Sequence, residues 1–230
     1  MSEIEIHVGN RSIREVNEDI QAALSEGKAV RAVETLSRHN LGIGLPQGGR
    51  IQFEGSVGYY CGGLNNGSDI NIERNAGWGV GEAMTSGSIS VGGYAGMSAG
   101  AAMLGGVIHI QGDCGPRCGV AMKGGDIIVE GRLGYQSGFM AHAGRIIALG
   151  GAGESCADAL WQGEIWVLGE IESLGVDAKV VEPEADEVAS VESLLAQYGL
   201  EDNSRDWRKV ISGQRLWYFE SRDANAWLMI

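Results

Sequence analysis

An isoleucine returns every nineteen residues through the middle of this chain, at Ile51, Ile70, Ile89, Ile108, Ile127, Ile146 and Ile165. Two positions after each stands a second apolar column: Phe53, Ile72, Val91, Ile110, Val129, Ala148 and Val167. Apolar side chains at i and i+2 have the period of a strand with one face buried. A unit this short cannot bury that face alone, so successive units must stack on one another. The pattern predicts an all-β fold, a right-handed parallel β-helix of about six to seven coils over residues 48–180.

Two rival solenoids fit less well. A left-handed hexapeptide helix shows an aliphatic residue every six positions, and nineteen is not a multiple of six. A calcium-binding nonapeptide roll places aspartate inside its glycine turns, which are mostly free of it here.

Glycine fills columns around the strands. The chain has 38 glycines and 3 prolines, and periodic glycine with scarce proline argues against disorder. Gly58, Gly77, Gly96, Gly115, Gly134 and Gly153 form one such column and are expected to be structural turns, because glycine takes φ > 0 without a Cβ penalty. Gly62, Gly81, Gly100, Gly119 and Gly138 form another. The remaining inward columns are expected to be Val57, Ala76, Ala95, Cys114, Leu133 and Ala152, and Leu64, Ala83, Ala102, Ala121, Met140 and Ala159. Met84, Met103 and Met122, in register beside the latter, are expected to be packing residues rather than soft-metal ligands.

The formal charge of -13 argues against a basic face for nucleic acid or an anionic membrane. No apolar run approaches a membrane span, and the sequence from Met1 shows no signal-peptide core. A soluble cytoplasmic protein is expected.

Residues 1–47 divide into an edge-like strand at 4–8, an amphipathic helix near 12–26 and a lead-in at 28–47. Ser12 and Glu15 have the spacing of a capping box, and Ile13, Val16, Ile20 and Leu24 that of a helix face. The helix is expected to cap the open end of the solenoid, and HNLGIGLP to form a strand and turn before Gly48.

Chemistry-bearing residues are sparse. Cys61, Cys118 and Cys156 share one column, and partners two coils apart lie roughly 10 Å from one another, too far for a disulfide. Small buried cysteines are expected; a redox pair in CGPRC, Cys114 with Cys118, lacks the CxxC spacing. His109 and His142 are expected on the surface. No nucleophile elbow, catalytic carboxylate pair, P-loop or zinc motif is present, so no catalytic, cofactor-binding or metal-binding residue is assigned.

The outward strand positions change character along the solenoid. Gln52, Asn71, Ser90 and His109 are polar, and the same column then becomes Ile128, Ile147 and Trp166, flanked by Leu149 and Leu168. Such a patch normally has a cover. Residues 181–230 offer one, an acidic segment whose Val188, Val191, Leu194, Leu195 and Tyr198 are spaced as a helix ending at Gly199. Trp207, Trp217, Tyr218, Phe219 and Trp227 follow, an aromatic arm that either folds back or docks on another subunit. Ile128, Ile147, Trp166, Leu149, Leu168, Trp217, Phe219 and Trp227 are therefore the candidate partner interface. A separate outer column, Tyr59, Trp78 and Tyr135, keeps open a self-sufficient carbohydrate-binding protein or enzyme.

The glycine columns, with Phe53-Glu-Gly-Ser-Val-Gly58, Gly124-Gly-Asp-Ile-Ile-Val-Glu-Gly131 and Gly144-Arg-Ile-Ile-Ala-Leu-Gly150, resemble the GXGXG β-helix family, which ends the large chain of glutamate synthase. The resemblance spans roughly residues 10–170. As a stand-alone chain it is most similar to the β-helix subunit of N-methylglutamate synthases; formylmethanofuran dehydrogenases contain a similar module. The resemblance implies a non-catalytic scaffold in a hetero-oligomer whose amidotransferase-like and FMN/iron-sulfur subunits carry the chemistry. It transfers no catalytic residue onto this chain.

Overall fold

A computed structural model describes residues 2–200, 202, 204 and 206–215. The chain enters through β1 (Glu3–His7), α1 (Ile13–Ser25) and β2 (Ala29–Val33). Seven strands of the repeat follow, one per coil: β3 (Arg50–Phe53), β4 (Asn66–Ile72), β5 (Ser86–Val91), β6 (Val107–Ile110), β7 (Lys123–Val129), β8 (Ala143–Ala148) and β9 (Glu164–Val167). It closes with β10 (Ala178–Val181), α2 (Ala185–Ala196) and β11 (Arg208–Ser212). All strands join one sheet in the order β1-β2-β3-β4-β5-β6-β7-β8-β9-β11-β10. From β1 to β9 every pairing is parallel, and the repeating isoleucines are partners in register from Ile51 to Ile165. The fold is a right-handed parallel β-helix.

A second line of parallel bridges, Val57–Ala76–Ala95–Cys114–Leu133–Ala152, joins the coils on another side. That column is buried, as expected. The Leu64 column is not inward. Its six members hold φ between 51° and 57°, which turns each Cβ out of the coil, and Leu64 and Met140 are exposed. The inward column is the next one: Asn65, Met84, Met103, Met122, Ala141 and Leu160, all buried. An apolar column looks the same in sequence whether its side chains point in or out.

The glycines divide by role. Gly58, Gly77, Gly96, Gly115, Gly134 and Gly153 do not adopt positive φ, so they are not turns of the expected kind. They are needed for close approach: a Cβ on Gly77 or Gly134 would stand 2.7 or 2.6 Å from the carbonyl carbon of Gly58 or Gly115 in the preceding coil. The Gly62 column needs both properties. Gly81, Gly100 and Gly119 have φ of 65–67°, and a Cβ there would lie 2.6, 2.5 and 2.5 Å from Cδ1 of Ile108, Ile127 and Ile146. Isoleucine and glycine thus repeat together because one fills the space the other leaves. Where the stack runs out of isoleucines, Ala157 takes the glycine position.

The solenoid also starts earlier than Gly48. β2 pairs with β3 through Val30 and Ile51, an offset of two residues more than the repeat, and HNLGIGLP forms turns with Gly42 and Gly44 at positive φ rather than a strand. α1 buries Val16, Ile20, Ala23 and Leu24 against the core of this first coil. Its polar side holds the turn: Asn17 Nδ2 donates to Asn40 O (2.7 Å) and Gln21 Nε2 to Ile43 O (3.0 Å). Ser12 is the N-cap but makes no side-chain capping bond, so the expected capping box does not form.

Candidate functional site

The outward patch of the late coils is occupied by the chain itself. Ile128, Ile147 and Trp166 are buried with Val191, Leu194 and Leu195 of α2 and with Trp207, and Leu149 and Leu168 pack at the rim. As candidate partner contacts these five residues are corrected: hydrophobic burial is satisfied within the chain, by the helix the sequence placed at 188–198. Trp217, Phe219 and Trp227 lie outside the described residues.

Specific polar contacts lock this cover. Lys209, on β11, is buried between Glu164 (2.7 Å) and Glu187 (2.6 Å), with its ammonium 5.4 Å from the Trp166 ring. Burial works against the charged lysine, but its bonds to Glu164 and Glu187 outweigh this and raise its pKa. The Lys209 bond holds the Glu187 carboxyl below its ordinary value. Trp207 meets Trp166 edge to face at 6.1 Å and donates from Nε1 to Glu192 (2.8 Å). Arg145 grips both oxygens of Asp126 and reaches Ser190 of α2 (3.0 Å). His109 belongs here too: it is buried, with Nε2 2.9 Å from Glu130 and its ring tilted on Tyr198. The expectation of a surface histidine missed Tyr198, in the turn after α2 and far away in sequence. His142 is half-buried at a corner and stacks on Trp161.

On the early coils the same sheet face is uncovered. It forms a shallow polar groove of about 530 Å³ lined by Arg50, Gln52, Asp69, Asn71, Ser88 and Ser90. Asp69 accepts from the Ser88 hydroxyl (2.7 Å). The groove is a hydrogen-bonding surface whose Ser88–Asp69 contact has no histidine, lysine or cysteine beside it among the lining residues.

The aromatic column stands on a different side. His39, Tyr59 and Trp78 stack one above another, with centroids 4.2 and 4.9 Å apart and planes within 14°. Tyr59, Tyr60, Trp78, Tyr94 and Tyr135 are all exposed, and Trp78, Tyr94, Met97 and Pro116 line a cleft of about 470 Å³. Because the rings lie parallel to the coils, both faces of Tyr59 are taken by its neighbours and only edges reach solvent. A sugar stacks on a free ring face, so Tyr59 offers it no platform.

The cysteines are core residues. All four are free and buried. Burial pushes the Cys61 thiol far up and Cys156 up to about 12; a hydrogen bond to Cys114, with burial, raises Cys118. Cys61, Cys118 and Cys156 are thus enclosed thiols that resist ionisation, the opposite of the thiolates that ligate metals or exchange disulfides. Among the described residues no group of three or more His, Cys, Asp or Glu is arranged to hold a metal ion. An iron-sulfur cluster therefore does not fit the cysteines of this chain.

A scan against known protein families finds no match for the sequence, and a search of curated proteins finds none either.

Proposed function

We propose that this chain is a non-catalytic scaffold subunit of a glutamate-synthase-like complex. One observation carries the reading: the cysteines, His109 and Lys209, the side chains best suited to chemistry, are committed to packing the coils or fastening the cover. What remains is a stiff rod with a bare polar face and an exposed aromatic ridge. The resemblance in the glycine columns directs the choice of complex to the N-methylglutamate synthase type, in which methylamine and glutamate give N-methylglutamate and ammonia. FMN and the iron-sulfur cluster then belong to a partner subunit, beside an amidotransferase-like one, in the cytoplasm. A formylmethanofuran-dehydrogenase-type complex is the neighbouring alternative. No helix among the described residues is long and apolar enough to cross a membrane.

Native mass spectrometry with a visible spectrum, on protein purified gently from its own cells, tests this. A hetero-oligomer absorbing in the flavin and iron-sulfur bands is expected. A colourless single chain would sink the reading. The carbohydrate alternative rests on the exposed Trp78 edge of the stack; substituting Tyr59 and Trp78 with alanine should leave the complex intact and abolish no sugar binding.

A further inference from the structure

One outer column of the solenoid is apolar through six successive coils. Leu64, Ala83, Ala102, Ala121, Met140 and Ala159 occupy the same corner of successive coils with side chains outward. Leu104, two residues beyond Ala102, is 52% exposed, and Leu64 59%. In the last coil the column ends on Asp177, at φ 64°: Val176 O accepts from the Ala159 N–H (3.1 Å) as Asp158 O does from the Met140 N–H, so Asp177 is the corner residue and Val176, 63% exposed, stands just before it. The backbone does not impose this composition. A second left-handed corner column, Tyr60, Gly79, Ser98, Arg117, Gln136 and Ser155, turns the chain in the same way and carries mostly polar groups. Monomeric proteins rarely leave so continuous an apolar surface bare.

The chain itself returns to one end of the stripe. Gly213 N donates to Asp177 O (2.5 Å) and Arg215 N to the Asp177 carboxylate (2.8 Å). Asp177 is the last corner of that column, so Arg215 leads the chain out at the end of the stripe. Fifteen residues follow in the sequence, 216–230, with two apolar groups, Leu216-Trp-Tyr-Phe219 and Trp227-Leu-Met-Ile230, separated by polar and small residues. From Asp177 to Leu64 is six coil steps, about 29 Å at a spacing of about 4.8 Å. Fifteen residues reach up to about 50 Å, so the length suffices.

We propose that the corner stripe is a docking surface and that its occupant is the segment 216–230 of the same chain. Three features point to this occupant: its tether at Asp177, its adequate length, and its two apolar groups matching an apolar track. The stripe is separate from the patch under α2 and from the aromatic ridge, and the inference does not depend on the scaffold reading.

A photo-crosslinking residue, p-benzoylphenylalanine, placed at Leu104 in the full chain tests it. The side chain points outward, so the core is untouched; Met140 serves as a second site. Irradiation of a dilute equal mixture of isotopically light and heavy chains, followed by peptide mapping, should give links from position 104 or 140 to peptides within 216–230, light to light and heavy to heavy. Links in mixed light–heavy pairs would assign the stripe to a second copy. Links to another protein, in the material purified from cells, would assign it to a partner. Either result, or no link to 216–230 from both sites, overturns the proposal. A chain ending at Arg215 should bind several-fold more of a hydrophobic dye and exchange the amides of 100–104 faster. A folded truncated chain unchanged in both respects would also overturn it.

Discussion

The coils and the C-terminal cover bury apolar surface on the same sheet by different means. In the coils each residue is supported by its equivalent above and below: isoleucine on isoleucine, glycine beneath isoleucine, amide to carbonyl in continuous ladders. The cover depends on contacts that occur once, such as Lys209 with Glu164 and Glu187, Trp207 with Glu192, and Arg145 with Ser190. A stack of nearest-neighbour contacts spreads a local defect over adjacent coils. A set of single contacts across distant segments should open as a unit and leave the coils standing.

Trp166→Ala is the sharpest way to break this comparison. It empties the centre of the covered patch, and truncating a buried tryptophan costs about 4 kcal/mol. Hydrogen exchange should rise across α2 and β11 while β3–β5 keep their protection; loss of protection in β3–β5 as well would mean the two regions unfold together. Gly100→Ala strikes the coils instead. The new Cβ is strained by its left-handed φ and meets Ile127 Cδ1 at 2.5 Å, together a loss of about 3 kcal/mol. A fall in melting temperature with faster exchange in β5–β8 is the expected result.

Acid should loosen the cover before the coils. Glu187 has a lowered pKa because of Lys209, so its contribution is present above the ordinary carboxylate value, about 4.3, and is lost as pH falls through the lower folded value. Below about pH 4, exchange in α2 should accelerate ahead of that in β3–β5. The smallest effect expected is a gain. Ala102→Gly relieves a left-handed alanine at φ 52°, and after the entropy of glycine is set against it about 0.5 kcal/mol of stabilisation should remain in thermal melts.

Legibility in the sequence follows the same division. Seven isoleucines and their glycines disclosed the coils, and the helical spacing from Val188 to Tyr198 disclosed the element that covers Ile128, Ile147 and Trp166. β10 and β11 left no signal of comparable strength, because they are short, antiparallel and outside the repeat. The outward sense of the Leu64 column was hidden as well, since composition does not report the sign of φ. The burial of His109 depended on a tyrosine 89 positions away.

The sequence by itself determined the stacked architecture, its nineteen-residue register and the burial of Cys61, Cys118 and Cys156, because each coil meets only its neighbours and the same requirement is written in every repeat. Tertiary structure alone decided that Lys209 would fasten the cover, that β11 would insert between β9 and β10, and that the apolar corner stripe would face outward. Those outcomes depend on backbone angles and on segments brought together from far apart, where a single residue carries the constraint and no period repeats it.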